Sequence, residues 1–210
     1  EFQPDGAFYE LFKDERSCYL NKGVLEALSI LIPETYGKEF YEYAEHVKDK
    51  FPVVESFVQS LLWRNITSAS KELLEYINSE VLQYHETEDL FLETVVSVCS
   101  SPEHFFNGSF LHRNLFNKTL AERDGWWTVL LKYKYEDSTA IKRLVDWAWN
   151  NSDKSHISNQ SIKLSSVTIA WLFASTNRIL RDEATKALVC LLKDNVDVFS
   201  HFLCASVVNS

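Results

Sequence analysis

Leu164–Leu192, LSSVTIAWLFASTNRILRDEATKALVCLL, reads as two antiparallel helices joined by a tight turn. Apolar residues recur at Leu164, Val167, Ala170, Trp171 and Ala174 in the first segment, and at Leu180, Ala184, Ala187, Leu188 and Leu191 in the second. Both sets follow the i, i+3, i+4, i+7 spacing of one helical face. Ser175-Thr176-Asn177 supplies the polar turn, and the side-chain oxygen of Asn177 suits an early backbone N–H of the second helix. Ala184 and Ala187 leave room for a neighbouring helix to approach. A hairpin of this kind is the repeat unit of an α-solenoid, an architecture that more often binds than catalyses.

Composition points the same way. The chain has 210 residues, enough for one large helical domain or a short solenoid with a continuous core. Hydrophobic residues make up 46% of it, with 14 Phe, 9 Tyr and 6 Trp, large side chains suited to the spaces between packed helices. Only five Gly and four Pro leave little material for the turns of an all-β fold. The expected fold class is all-α, with antiparallel hairpins stacked irregularly. Residues 1–210 are expected to form a single helical domain, with sub-lobes 1–102 and 119–210 on either side of the irregular segment Glu103–Lys118.

The formal net charge is −9, from 30 acidic and 21 basic residues. That field repels phosphate backbones and disfavours non-specific nucleic-acid binding. Cys18, Cys99, Cys190 and Cys204 are far apart and form no metal-ligand spacing, which suits a reducing, cytoplasmic setting. Asn65, Asn107, Asn117, Asn150 and Asn159 each open an N-x-Ser/Thr sequence, read here as Asn/Ser-rich turns. No apolar run reaches the length of a membrane span. The chain contains no Met and opens on Glu1-Phe2, so it is expected to be a fragment of a longer protein.

Helices are expected at short intervals. Asn21 precedes one stopped by Pro33, Tyr36–Val47 is aromatic-rich, and Pro52 opens the next. Thr67 or Ser68 caps a fourth, Thr87 with Glu88 and Asp89 opens a fifth, and Asp124 caps one holding Trp126, Trp127, Val129, Leu130 and Leu131. Thr139–Trp149 follows, with Ile141, Leu144, Val145, Ala148 and Trp149 inward. Asn195 is expected to cap a last helix through Phe199 and Phe202.

Motifs of catalysis are sparse. Neither GxxxxGK[ST], GxGxxG nor HExxH occurs. His85, Glu86, Glu88, Asp89 and Glu93 form an acid-rich helix start, which would serve a cation only if its oxygens converged. His104 and His112 flank the irregular loop and, with Glu103, are the alternative acid–base pair. Asp5, Glu10 and Lys13 make a weaker carboxylate–lysine set. No catalytic, cofactor-binding or metal-binding residue is assigned. The residues expected at an interaction surface are Trp126, Trp127, Trp147, Arg178 and Arg181, since exposed Trp and Arg are good interface anchors. Asp182 and Lys186 stand at i and i+4, and Arg178 and Arg181 are within reach of carbonyls in adjacent turns.

The segment NRILRDEATKALVCLL resembles the second helix of a HEAT-type repeat, with an Arg near its start and Ala at inner positions. The order FLHRNLFNKTLAERDGWWTVLL, STAIKRLVDWAW, LSSVTIAWLFASTNRILRDEATKALVCLL, spanning residues 110–192, resembles a helical region of long bacterial STAND-type (NACHT-like) ATPases associated with antiphage defence. That resemblance implies a non-enzymatic HEAT-like scaffold or sensor segment whose partners are proteins or other domains of the same chain. No membrane or small-molecule partner is expected, the net charge disfavours nucleic acid, and with the Walker motifs missing any ATPase module would lie elsewhere. The competing expectation is a helical hydrolase or nuclease acting near His85–Glu93 or His104–His112.

If Ala187 sits at a close helix contact, Ala187→Leu adds three heavy atoms to a filled space. Thermal denaturation should show a loss of about 1–3 kcal/mol. A melting temperature equal to that of the parent chain would place Ala187 in open space.

Overall fold

Capping residues and small side chains set where the helices of this chain begin and how closely they approach. The computed structural model describes residues 21–44, 47, 49–134, 139–150, 152–195, 197, 198 and 200. Among them no strand occurs, and the fold is all-helical. Asp5, Glu10, Lys13, Cys18 and Cys204 lie outside the described residues, as does most of the helix expected through Phe199 and Phe202. Contacts divide the chain into two compact units, residues 1–65 with 69–94 and residues 66–68 with 95–210.

The first unit opens with α1 (Lys22–Tyr36), then the single turn α2 (Phe40–Tyr43) and α3 (Phe51–Ser60). Pro33 does not stop α1. The helix continues to Gly37, whose left-handed φ of 69° allows its N–H to bond Pro33 O at 3.0 Å. The aromatic-rich helix shrinks to one turn closed by a Glu39/Glu42 capping box. Pro52 lies in the first turn of α3 as expected, where its missing N–H costs nothing. Next, α4 (Lys71–Tyr76) runs into a π-helical turn, Ile77–Val81. Its cap is Ser70, which accepts from Leu73 N, in place of Thr67 or Ser68. Then α5 (His85–Ser97) begins ahead of Thr87, whose hydroxyl instead donates to Val81 O at 2.6 Å.

α1 packs on α3 around Leu25, Ile32, Phe40 and Val53. Tyr41 stacks on Tyr76 with centroids 3.6 Å apart, and Phe57 meets both edge-on. Beside them Arg64 grips Glu39 through two bonds of 2.8 and 2.6 Å, a fork geometry stronger than a single contact.

The second unit contains α6 (Gly108–Phe116), α7 (Leu120–Arg123), a π-helical turn at Asp124–Thr128, α8 (Val129–Lys134), α9 (Thr139–Trp149), α10 (Asn159–Trp171) and α11 (Arg178–Leu192). Asn107, Thr119, Ser158 and Asn177 cap α6, α7, α10 and α11, each accepting a backbone N–H. Thr119 therefore takes the role expected of Asp124, which lies inside the continuing helix. Phe105 N donates to Ile66 O at 2.6 Å, tying residues 66–68 into this unit.

The hairpin of α10 and α11 is present, and α11 also packs on α9. Leu180, Ala184, Ala187, Leu188 and Leu191 are buried as their spacing predicts. The buried face of α10 is rotated from the expected one. It runs through Ile162, Leu164, Ser165, Ser166, Thr168, Ile169 and Leu172, so Leu164 is buried as expected, while Val167, Ala170 and Trp171 are half-buried and Ala174 is exposed. Two hydroxyls of this inner face are satisfied within the helix, Ser166 Oγ donating back to Ile162 O and Thr168 Oγ1 to Leu164 O, whereas Ser165 Oγ is buried without a hydrogen-bond partner.

Those short side chains admit α6. A Cβ on Gly108 would lie 2.5 Å from Leu164 O and 2.8 Å from Thr168 Oγ1. Gly108 N also donates to Cys99 O, and burial pushes the Cys99 thiol up to about 12. Gly108→Ala should therefore displace α6 from α10 and cost about 1–3 kcal/mol in urea denaturation. Unchanged stability would show that the α6–α10 approach is not close-packed.

Candidate functional site

The five residues expected at an interaction surface separate into distinct settings. Trp127 is fully buried, so it is corrected to a core residue. Trp126 is half-buried with the Lys118 ammonium 5.3 Å from its ring centroid. Trp147 is half-buried under Lys154, whose Nζ also donates to Asn150 O. Arg178 is exposed and pairs with Asp182 at 3.7 Å, replacing the expected Asp182–Lys186 pair. Lys186 instead sits 5.2 Å from the ring centroid of Trp149, which is partly exposed and not inward. Arg181 donates to Ser175 O at 2.6 Å and fastens the hairpin turn, as expected of a carbonyl-seeking Arg.

The alternative catalytic residues have structural partners. His85 Nδ1 lies 3.6 Å from Asp89 and 3.9 Å from Glu88, all on the first turns of α5. His104 is buried and its Nδ1 accepts from Phe106 N at 3.2 Å. His112 Nδ1 accepts from the indole N–H of Trp171, also at 3.2 Å. Among the described residues no group of three His, Cys, Asp or Glu is placed to hold a metal ion. No helix among them is long and apolar enough to cross a membrane.

What the structure assembles is an aromatic and basic face on the second unit. Trp171, at the end of α10, is its centre. Its carbonyl accepts from the Trp127 indole at 2.8 Å, its own indole N–H reaches His112 on α6, and Arg123 lies 5.7 Å from its ring centroid. His112 in turn contacts Phe116, with centroids 5.6 Å apart. Trp126 and Trp127 sit 6.5 Å apart on the π-helical turn. The extra residue of a π turn shifts the phase of the helix, so Trp127, Leu130 and Leu131 face inward while Val129 is exposed. Such bulges are frequent at functional sites.

At the edge of this cluster two large apolar side chains face solvent, Phe116 at 49% and Leu120 at 67%. Neither stood out in the sequence, because Phe116 ends α6 and Leu120 opens the single turn α7, where no helical periodicity carries on. Trp63, in the first unit, is exposed at 76% and was likewise passed over. The charges around Phe116 and Leu120 are unequal in availability. Glu122 is held by Thr119, through its N–H at 2.7 Å and its hydroxyl at 2.8 Å, and these bonds keep its carboxyl below the usual range. Asp124 accepts from Thr128 at 3.3 Å. Among the described residues no carboxylate lies within ion-pair distance of Arg113, Lys118 or Arg123.

None of the protein families, curated proteins or solved structures compared with this chain matches it.

Burial, and then the Arg113 charge, hold the His112 pKa below the ordinary histidine value. The unfolded chain therefore binds this proton more readily, and stability falls as pH drops below about 6.5. Protonation also puts an N–H against the donor of Trp171. His112→Gln, which cannot titrate, should lose less stability than the parent between neutral and mildly acidic pH in urea denaturation. Parallel losses would remove His112 from the acid response.

Proposed function

We propose that this chain is a helical protein-binding segment that works by contact, with the face around Phe116, Leu120 and Trp126 as its contact surface. The observation that carries the reading is the solvent exposure of Phe116 and Leu120 at the edge of a hydrogen-bonded aromatic cluster. Apolar side chains held out by a rigid framework gain most when a partner covers them, and aromatic anchors flanked by Arg dominate protein interfaces. Phe116, His112, Trp171 and Trp127 form a chain of contacts, so little ordering remains to be done on binding.

The same reading treats the α10–α11 hairpin as a degenerate HEAT-like repeat. The resemblance of residues 110–192 to helical regions of STAND-type defence ATPases agrees with a sensor or coupling role inside a larger bacterial protein. Both histidines of the irregular region spend Nδ1 on structural hydrogen bonds, which favours contact over acid–base chemistry there.

Replacing Phe116 and Leu120 by Ser removes mainly exposed apolar surface together with the Phe116–His112 ring contact, and circular dichroism and melting establish that the variant keeps its fold. Affinity capture from the native cell extract should then recover a protein with the parent chain that is lost with the variant. Equal recovery would overturn the assigned surface. Calorimetry with ATP and magnesium, and a nuclease assay with divalent metals, should register nothing for this chain. Micromolar ATP binding, or cleavage abolished by Glu86→Ala or His104→Ala, would favour the catalytic alternative.

A further inference from the structure

Resting on the reading above, we propose that the Phe116–Trp126 face takes an acidic protein segment that seats an apolar side chain against Phe116 and Leu120. Three observations carry the chemistry of this partner. Within residues 110–126 the cations Arg113, Lys118 and Arg123 meet only two acids, in a chain whose overall charge is −9. Both of those acids are hydrogen-bonded by neighbours, Glu122 in its capping box, where the Lys118 charge also acts on it, and Asp124 at Thr128. None of the three cations is within ion-pair distance of a carboxylate among the described residues. Three cations against two carboxylates leave this segment net positive, opposite in sign to the chain as a whole. An incoming carboxylate gains there what it would lose elsewhere on the surface.

The apolar part of the ligand follows from Phe116 and Leu120. Leu120 offers aliphatic surface, which a buried Leu, Ile or Phe of the partner would cover. It gives a sugar–phosphate chain nothing to bond. The aromatic rings also argue against a nucleic acid. Lys118 already covers a face of Trp126 and Arg123 a face of Trp171, so neither ring is a bare platform for base stacking. Three cations against a charge of −9 give little counterion release.

A random peptide library displayed on phage, selected on the whole chain at low salt, tests this directly. Enriched sequences should carry Asp or Glu beside Leu, Ile, Phe or Trp. One enriched peptide, synthesised, should bind the Arg113→Glu/Lys118→Glu variant about tenfold more weakly than the parent by calorimetry, and added salt should weaken binding to the parent. Circular dichroism and melting of the variant establish that its fold is retained. Apolar peptides lost on Phe116→Ser/Leu120→Ser but indifferent to charge reversal would overturn the acidic chemistry and leave the protein-binding reading standing. Enrichment of nothing, or of peptides insensitive to both variants, would overturn both. A single-stranded oligonucleotide that binds the parent and not the charge-reversed variant would replace the acidic segment with a nucleic acid.

Discussion

Trp171 holds the second unit's aromatic face together through two hydrogen bonds that pull in different directions. Its backbone carbonyl, at the end of α10, is one of the acceptors a helix leaves unsatisfied, and the Trp127 indole fills it at 2.8 Å. Its own indole N–H needs an acceptor and finds His112 Nδ1 at 3.2 Å. One residue thus fixes the π-helical turn to α10 and α10 to α6. Phe116 ends α6, one of the elements so fixed, and Leu120 opens α7 just after it. Loss of either bond would leave a polar group in a partly apolar setting, at a cost of about 1–3 kcal/mol for the group exposed to no partner.

Close approach makes these bonds possible. Gly108 lies against the backbone of α10 where a Cβ has no room, and the inner face of α10 there carries Ser165, Ser166 and Thr168 in place of larger side chains. Small residues bring backbones together but contribute little apolar area, so bulk is supplied nearby by Trp127, Leu111, Leu115 and Ile169. Lys118 and Arg123 lie over the rings of Trp126 and Trp171 and cover aromatic area, the Nε of Arg123 being buried in doing so. The face is consequently apolar, cationic and rigid together, a combination suited to an oppositely charged protein segment.

Much of the fold was legible in the sequence where periodicity and capping agreed. Thr139–Trp149 forms a helix with the bounds its pattern predicts, and Asn177 caps α11 with Leu180, Ala184 and Leu191 inward. The phase of α10 was misread because Val167, Ala170 and Trp171 look more buriable than Ser165 and Ser166. The Ser166 hydroxyl, bonded to the preceding turn, hides its polarity, which a hydropathy pattern does not register; Ser165 Oγ is buried without a partner. The π-helical turn was illegible for a related reason. One inserted residue turns Trp127 inward and Val129 outward, and periodicity assumes a constant pitch. Pro33 was read as a stop, yet the left-handed Gly37 closes α1 a turn later. Of the candidate site, Trp126 was visible as an aromatic anchor, whereas Phe116 and Leu120 were not. The signal available was two large apolar residues on either side of Lys118, one at the end of α6 and one at the start of α7.

The central claim is that contact at the Trp171-centred face is what this chain offers a partner. Tryptophan side-chain NMR of the whole chain, recorded with and without a bound acidic, apolar peptide, tests it most directly. The account predicts that the indole signals of Trp126 and Trp171 move while those of Trp63, Trp147 and Trp149 stay in place. Movement confined to Trp63, or to Trp147 and Trp149, would contradict it.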